Sequence, residues 1–460
     1  MRDTLETITE GMEEQGADYA DVRYERVTQN NLTVKDRKVE EISSGEQRGF
    51  GFRAFYQGAW GFSSTNDADN MEEAARKAVK SARALSRNSD IDAVELPSRD
   101  PVEAAIESRA EIQPDSMLPE QKLAVLEDAE REIRYSSDAI TSAKVVYNDL
   151  QGKYMFASSN GSFIEKQPTH YSLYCHATAK NDGEMETHME RSASINGMEH
   201  FQDADPVGMG RKAAEMAEKI VNAPRAPTGR MPVVIGDRLG GLFAHEAVGH
   251  AAEADTVQSG GSLFKGRVGD KIGSDQVTVV DDPTMQGKHG SYTYDDEGTL
   301  AEKTTIIEDG RLNALLHSRE TAARADAEPT GNGRAQSFSK VPVVRMSNTY
   351  FDTGDHTKEE MVESIDDGLY LKGFKGGQVD TSEGNFTFGT THAYRIEDGE
   401  VGELVRGPSI SGKTLDILQH VTMVADDREV GDPGYCGKNG QTVYVDTGAP
   451  HMKVDQMVIG

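Results

Sequence analysis

The sequence predicts an α+β protein, in which two N-terminal α+β modules with antiparallel sheets and packed helices precede a β-rich C-terminal domain. Up to about residue 228, segments of alternating apolar residues are interleaved with segments of helical periodicity. After residue 229, short strand-like segments and glycines predominate. Because 460 residues exceed the size of one ordinary hydrophobic core, several domains are expected. We predict domains at 1–95, 96–228 and 229–460.

The first module is predicted from hydrophobic periodicity. A helix is expected to about Ala17, followed by a strand in "YADVRYERV". Further strands are expected in "NLTVKDRKVEEIS" and in "RGFGFRAFYQGAWGFSS", where glycines and aromatic residues indicate an antiparallel pair that turns near Gln57 and Gly58. The segment "NMEEAARKAVKSARALS" predicts a helix with a charged, solvated face.

The second module is predicted to follow a connecting segment. Residues 88–118 contain scattered prolines and acidic residues, which favour at most one short helix. The segment "PEQKLAVLEDAEREIR" predicts a helix with Pro119 near its first position. Alternating segments, "AKVVYND", "KYMFASS" and "HYSLYCHATA", predict strands, and "GMGRKAAEMAEKIVNA" predicts a helix after them.

The C-terminal domain is predicted to begin with a strand and a helix. The segment "MPVVI" is typical of a buried strand, and Asp237 is placed to cap a helix through "RLGGLFAHEAVGHAAEA". Gly240, Gly241 and Gly249 each weaken such a helix by about 1 kcal/mol relative to alanine. They are therefore expected where close packing or altered helix geometry is required.

The composition limits the partners of the chain. With 49 basic and 78 acidic residues, the formal charge is −29, which argues against nucleic-acid binding through a basic surface. The acidic residues are spread between apolar segments, as in a folded protein that stays soluble in high salt, so we expect a halophilic source.

Cysteine usage and hydropathy indicate a compartment. The two cysteines, Cys175 and Cys436, are too few for a disulfide framework. The N-terminus lacks an apolar signal core, and no later segment is long and apolar enough to span a bilayer. We therefore expect a cytoplasmic protein that has no membrane partner.

The stretch "HEAVGHAAEAD" contains a candidate metal site in this last domain. In H-E-x-x-H motifs the two histidines are four residues apart and share one face of a helix. Here His245 and His250 are five residues apart, which places them about 140° apart around an ideal helix. A π-type bulge near Gly249 would insert one residue and restore their alignment. The alternative is an amphipathic helix whose histidines bind backbone carbonyls.

A catalytic zinc ion requires three protein ligands and one open position. The third ligand is open between Glu253, Asp255 and the distant Cys436, which lies in the glycine-framed segment "GYCGKNGQ". Alternatively, Cys436 is only a small buried hydrophobic residue. If zinc binds, Glu246 is next to the first ligand and can act as general base in peptide hydrolysis.

Several blocks of the sequence resemble the TldD/PmbA family of peptidases, also described as modulators of DNA gyrase, and in particular its TldD-type catalytic members. The resemblance covers nearly all of the chain. It is carried by "HEAVGHAAEAD", "GNGRAQSF", "VPVVRMSNTYFDTGD", "KGGQVDTSEGNFTFGTTHAYRIEDGEV", "GYCGKNGQ" and "KVDQMVIG", with "YADVRYE" and "RGFGFRAF" in the first module. Together with the acidity it implies a haloarchaeal source.

The resemblance implies a metal site and a reaction. The ligands would be His245, His250 and Cys436, holding one Zn²⁺ per chain, and Glu246 would be the catalytic base. Glu253 and Asp255 are then candidates for supporting these ligands without binding the metal. The longer H-E-x-x-x-H spacing is the family's own. Peptides or unfolded polypeptide segments would be cleaved in an enclosed cavity of a heterodimer, whose partner is a PmbA/TldE-like paralogue that lacks the motif.

The segment "GNGRAQSF" is a candidate for substrate binding. Gly331, Gly333 and Arg334 could present main chain and a guanidinium to an extended peptide, since strand addition at a sheet edge is tolerant of sequence. Equally, the glycines could only build a turn.

A rival hypothesis is a non-catalytic protein in which the metal only staples the C-terminal domain, and which acts by binding gyrase or a toxin-antitoxin component. Glu246 distinguishes the two hypotheses. A structural zinc site is closed by four ligands and has no use for a non-ligating carboxylate beside the metal.

Overall fold

The computed structural model describes residues 1–87 and 94–460. The predicted connecting segment 88–118 therefore lies partly outside the described residues. Within them the chain has the predicted α+β fold, with sheets throughout and a β-rich C-terminal region. No helix in these two ranges is long and apolar enough to cross a membrane.

The N-terminal half of the described chain is built on one eight-stranded sheet. Its strands are β1 (Tyr19–Lys35), β2 (Lys38–Tyr56), β3 (Ala59–Thr65), β4 (Glu103–Ile106), β5 (Ile140–Ser158), β6 (Phe163–Lys166), β7 (Thr169–Asn181) and β8 (Glu184–Ser194). Antiparallel β1 pairs with β2 on one side and with β5 on the other. Strands of both predicted N-terminal modules thus share a sheet, and the three domain ranges stay a prediction.

Helices cover this sheet. They are α1 (Arg2–Glu14), α2 (Met71–Leu85), α3 (Pro119–Tyr135), α4 (Met198–Asp203) and α5 (Pro206–Asn222), with short 3₁₀ turns at Ala68–Asn70 and Pro114–Ser116. Apolar residues of α1 and α2 pack with Phe52 of β2, and those of α3 and α5 pack with Leu173 of β7. The predictions of α1, α2, α3 and α5 are confirmed.

Several details of this half differ from the prediction. The segments "YADVRYERV" and "NLTVK" form one continuous strand, β1, and "KVEEIS" continues into "RGFGFRAFY" as β2. The segments "AKVVYND" and "KYMFASS" form one continuous strand, β5, because Gly152 lies directly against the backbone of β1, where a Cβ atom would be 2.3 Å from the Arg26 carbonyl oxygen. Strand β4 was not predicted, and it pairs in parallel with β6. The predicted turn at Gln57 and Gly58 is confirmed, with φ of 46° and 85°.

The C-terminal half contains a nine-stranded, a seven-stranded and a two-stranded sheet within the described residues, the last formed by β13 and β14. Its strands are β9 (Gly229–Ile235), β10 (Val279–Asp281), β11 (Thr304–Glu308), β12 (Arg311–Leu312), β13 (Gly333–Arg334), β14 (Val343–Val344), β15 (Asn348–Phe351), β16 (Asp367–Lys372), β17 (Gly376–Val379), β18 (Asn385–Gly389), β19 (His392–Glu397), β20 (Glu400–Arg406), β21 (Ser409–Lys413), β22 (Val421–Val424), β23 (Glu429–Val430), β24 (Gly434–Lys438), β25 (Gln441–Ala449) and β26 (Met452–Ile459). Its helices are α6 (Asp237–Phe243), α7 (His250–Ala252), α8 (Ala254–Gln258), α9 (Arg319–Ala325), α10 (Lys358–Glu363) and α11 (Thr414–Gln419).

Helix α6 follows β9 directly and packs against β25. A Cβ atom at Gly240 would lie 2.6 Å from Ala449 Cβ, and one at Gly241 would lie 2.5 Å from the Gly448 nitrogen, so both glycines allow the helix to approach the strand. The prediction that Asp237 caps this helix is wrong. Gly236 is the N-cap residue, and Asp237 is the first helical residue without a capping hydrogen bond.

Candidate metal centre

The motif lies on a helix that changes its pitch. Helix α6 continues into a π-helical turn at Ala244–Gly249, and α7 begins at His250. The His250 N–H donates to the His245 carbonyl, five residues back, which is the hydrogen bond of a π turn. The predicted bulge is confirmed, and it places both imidazoles on one side of the helix, with ring centroids 5.1 Å apart.

Gly249 is required by packing. Its φ of −58° is ordinary for a helix, so the backbone does not demand glycine there. However, a Cβ atom at this position would lie 2.0 Å from Met346 Sδ. Since Met346 is fully buried, the π turn can approach its neighbour only where residue 249 has no side chain.

The two histidines meet Cys436 of β24. One nitrogen from each of His245 and His250 and the Cys436 sulfur all lie within 4.8 Å of one another. The distance from Cys436 Sγ to His250 Nε2 is 3.4 Å. Strand β24 holds the cysteine there through antiparallel pairing with β25, in which Cys436 lies opposite Val443.

Burial and charge make this cluster a thiolate site. Burial raises the pKa of the Cys436 thiol, but the neighbouring imidazoles of His245 and His250 more than offset this effect and lower that pKa to about 4. A thiolate is the form of cysteine that binds metals. The alternative interpretation of Cys436 as a mere hydrophobic residue therefore has less support.

Glu246 lies on the open side of the cluster. Its side chain is 33% exposed, and its Oε2 atom lies 3.9 Å from His250 Nε2. It is thus close to the same imidazole nitrogen that faces Cys436, while solvent still reaches the carboxylate. This is the position that a proton acceptor for an attacking water needs.

Glu253 and Asp255 lie on the other side of His250. Glu253 Oε2 is 3.1 Å from His250 Nδ1, and Glu253 is 1% exposed. Lys438 Nζ donates to Glu253 at 3.1 Å and to Asp255 at 2.6 Å. Burial raises the pKa of Glu253, but His250 and Lys438 reverse this and hold it below the ordinary value. Glu253 thus supports a histidine from behind, and neither acid belongs to the three-residue cluster.

The candidate substrate residues contact the protein itself. Arg334 is 8% exposed; its Nη1 donates to the Met346 carbonyl at 2.6 Å, and its guanidinium lies 4.6 Å from the Tyr292 ring centroid. Gly331 has a φ of +75°, which favours glycine. At Gly333 a Cβ atom would lie 2.6 Å from Glu297 Oε2. This geometry favours turn and packing roles, and substrate binding by the three residues stays a prediction.

Arg345 and Lys438 were missed in the sequence. Arg345 is fully buried and donates to the Cys436 carbonyl and, at 3.5 Å, to the Gln441 carbonyl. The sequence did contain an indication of the role of Arg345. An arginine within an apolar run such as "VPVVRM" is expected to be buried, and a buried arginine needs hydrogen-bond partners. Lys438 follows Cys436 by two residues, so both side chains point to the same side of β24.

Family models match most of the chain. The model described as PmbA/TldA metallopeptidase domain 1 matches residues 20–85, the central-domain model matches residues 112–220, and the C-terminal-domain model matches residues 228–460. The last of these ranges contains the whole candidate metal centre.

Curated relatives align over nearly the full length. A metalloprotease of Methanocaldococcus jannaschii is 40% identical over 94% of this chain and 94% of its own. A zinc metalloprotease TldD homolog of Saccharolobus solfataricus is 32% identical over 97% of this chain and 98% of its own. A metalloprotease TldD homolog of Haemophilus influenzae is 30% identical over 99% and 96%.

Solved structures share the fold. A Thermotoga maritima protein described as a modulator of a DNA gyrase has a TM-score of 0.80 at 20% identity, covering 100% of this chain and 99% of its own. TldE from Thermococcus kodakarensis has a TM-score of 0.77 at 18% identity, covering 100% and 99%. From the matched models and the full-length relatives together, the chain belongs to the PmbA/TldD metallopeptidase family.

Proposed function

We propose that this protein is a zinc-dependent peptidase that hydrolyses peptides or unfolded polypeptide segments. The observation that carries the proposal is the convergence of His245, His250 and Cys436, with the non-ligating carboxylate of Glu246 beside them. Relatives named metalloproteases, and one named a zinc metalloprotease, support it.

The three side chains fit zinc. Nitrogen and sulfur donors are those that zinc prefers, with bonds of about 2.0 and 2.3 Å. In a tetrahedral site these bond lengths place a nitrogen and a sulfur about 3.5 Å apart. The observed distance from His250 Nε2 to Cys436 Sγ is 3.4 Å, close to this value, and the three donor atoms all lie within 4.8 Å of one another, so the set is compatible with one ion. Three ligands leave a fourth position open for water or substrate, as catalytic sites require.

Bound zinc would supply a Lewis acid that polarises the scissile carbonyl and lowers the pKa of a water molecule. Glu246 then takes a proton from the attacking water at its carboxylate and delivers it to the departing amine. Its partial exposure lets water reach it, and its proximity to His250 Nε2 places it within reach of the reacting atoms. One ion per chain is expected, because the described residues contain one such three-residue cluster.

We further propose that the chain is the catalytic subunit of a heterodimer with a PmbA/TldE-like paralogue. The intact motif supports the catalytic assignment, and the similarity to TldE supports a partner of the same fold. The alternative function is a metal-stapled protein that modulates gyrase or a toxin-antitoxin system. Glu246 argues against it, because a structural site does not need that carboxylate.

Metal analysis combined with a peptide-cleavage assay tests the proposal. We expect about one zinc per chain and cleavage of unstructured peptides, which is weak for the chain alone and increases when the motif-lacking paralogue is added. Bound zinc without cleavage in either preparation would favour the stapled interaction protein. Full activity in a demonstrated monomer would refute the heterodimer.

A further inference from the structure

Two acidic and two basic side chains lie behind the candidate ligands. They are Glu253, Asp255, Arg345 and Lys438, so their formal charges cancel. Glu253 and Arg345 are 1% and 0% exposed. A buried charge network is weak evidence for stability, because well-packed apolar residues often serve as well. Because these side chains contact His250 and Cys436, a role in the metal site accounts for the network better than a contribution to stability.

We propose that Glu253 and Arg345 are positioning residues, which orient His250 and Cys436 for one metal ion, with Lys438 joining the two. This inference rests on the proposed zinc site and assigns the residues that hold its geometry. Neither residue belongs to the cluster of candidate ligands, and each contacts a different member of it.

Glu253 determines which nitrogen of His250 faces the metal. Its Oε2 atom is 3.1 Å from Nδ1, so it accepts the Nδ1–H hydrogen bond. In the neutral ring, this hydrogen bond would keep the proton on Nδ1 and leave the lone pair of Nε2 for a metal ion, and Nε2 is the atom that faces Cys436 Sγ. A carboxylate that accepts from a ligating histidine fixes its tautomer and ring orientation and makes it a stronger ligand.

Arg345 determines where Cys436 lies. Its guanidinium donates to the carbonyl of Cys436 itself and to that of Gln441 on the paired strand β25. Its Nε atom lies 3.9 Å from Glu253 Oε1, and both of these buried atoms lack a hydrogen-bond partner among the described residues. The two opposite charges thus face each other, and they connect the residue that follows β14 to the residue that follows α7.

Lys438 completes the connection. Its Nζ atom contacts Glu253, Asp255 and the Val344 carbonyl, the last at 3.2 Å. Because Lys438 lies on the same strand as Cys436, this ammonium joins the cysteine strand to the carboxylate that orients His250. His245 differs, since its Nδ1 atom is buried and has no partner in the described chain. Orientation from behind is therefore specific to His250 and Cys436.

The test compares zinc affinity by chelator competition and the visible absorption of the cobalt-substituted full-length protein. Glu253→Ala should weaken zinc binding by about 10- to 100-fold and shift the cobalt bands, the usual effect of losing such a partner. Glu253→Gln, which still accepts a hydrogen bond, should restore part of this loss. Lys438→Met should give a smaller loss that Lys438→Arg reverses. Glu302→Gln, at an exposed glutamate, is the matched control.

The outcomes separate this inference from the proposed function. If the wild type holds zinc, but Glu253→Ala and Lys438→Met match the control in zinc affinity and in cobalt spectrum, the positioning role is wrong and the zinc site stands. If the wild type does not hold zinc, both proposals fail. Arg345→Lys keeps the charge and all three ligands but loses the guanidinium that donates to the Cys436 and Gln441 carbonyls, so it should also shift the cobalt bands. If Glu253→Ala does not fold, wild-type zinc affinity and cobalt spectra in Glu253→Gln, Arg345→Lys and Lys438→Met would overturn the positioning role.

Discussion

The Sδ atom of Met346 occupies the space that a side chain at Gly249 would need, 2.0 Å from the ideal Cβ position. Gly249 is the last residue of the π turn, and His250 follows it directly. Glycine at position 249 therefore leaves room for the buried methionine beside the motif. The π turn that ends at this glycine aligns the second histidine with the first.

Gly249→Ala should destabilise the protein by about 1–3 kcal/mol, since overpacking a closed core forces side chains or backbone to move. Met346→Ala in the same chain should relieve the clash, so that the double variant is more stable than the sum of the two changes predicts. Urea unfolding of all four proteins measures this coupling. Additive effects would contradict the packing argument.

Deletion of Gly249 should abolish peptide cleavage. The deletion creates the spacing H-E-x-x-H, but the position of Cys436 suits the two histidines only at their present, longer spacing.

Cys436→Ser should strongly reduce zinc retention, because a neutral hydroxyl replaces a thiolate that zinc prefers. Zinc per chain after dialysis against a chelator measures the effect, and Cys175→Ser is the matched control at the other buried cysteine. Full zinc and full activity in Cys436→Ser would mean that the third ligand must be sought at Glu253 or Asp255.

Glu246→Gln should lower peptide hydrolysis by roughly 10²-fold or more, the usual scale for a lost general base. The amide keeps the shape of the side chain and leaves the three ligands unchanged, so zinc should stay near one per chain. Steady-state kinetics and metal analysis on the same sample test this. A loss of zinc equal to the loss of activity would instead make Glu246 a ligand.

Glu25→Gln should change the pH dependence of stability. Glu25 is 3% exposed and accepts a hydrogen bond from Phe338 N–H at 2.8 Å, and burial raises its pKa to about 7. A folded pKa above the unfolded one means that the folded state holds the proton more tightly, so this stability is present at low pH and is lost as pH rises toward about 7. We expect Glu25→Gln to gain up to about 3 kcal/mol relative to wild type between pH 4.5 and pH 7.5.

Urea unfolding at several pH values measures this gain. Glu10→Gln, at an exposed position of α1, should show no such trend. A constant difference between Glu25→Gln and wild type across the range would show that Glu25 ionises normally in the folded protein.

Salt should stabilise the protein. A formal charge of −29 repels itself, and the Debye length falls from about 10 Å at 0.1 M to about 3 Å at 1 M salt. The melting temperature should therefore rise between about 0.1 M and 2 M KCl. Parallel melting scans in sucrose of equal osmolality distinguish the screening of protein charges from a general effect of solute exclusion from the protein surface. A flat or falling melting temperature would count against the halophilic source.

Some parts of this protein are properties of short segments and were readable from the sequence. Helical periodicity predicted α3 from "PEQKLAVLEDAEREIR", and the five-residue spacing of His245 and His250 predicted the π turn. Local rules failed where pairing with a distant segment decides the conformation. Strand β4 is short, and it exists because it pairs with β6. Asp237 is a different case. Its residue type favours the N-cap position, but the N-cap of α6 is Gly236, one residue earlier.

Packing between distant segments was decided only by the tertiary structure. The aromatic ring of Phe338, in "GNGRAQSF", lies where a Cβ atom at Gly49 would be, 2.3 Å away, and the Phe338 carbonyl oxygen lies 2.1 Å from that position at Gly51. Two of the blocks that carried the family resemblance thus contact each other, which assigns a packing role to a segment whose glycines also suggested substrate binding.

The sequence by itself determined the fold class, the helix with its two histidines and Glu246, and a short set of candidates for the third ligand. The tertiary structure decided that Cys436, 186 residues along the chain from His250, joins the two histidines, and that Glu253 contacts the opposite ring nitrogen of His250. The reason is physical. Helix periodicity depends on neighbours within a few residues, whereas the approach of β24 to the helix depends on sheet pairing and on buried glycines that permit close contact.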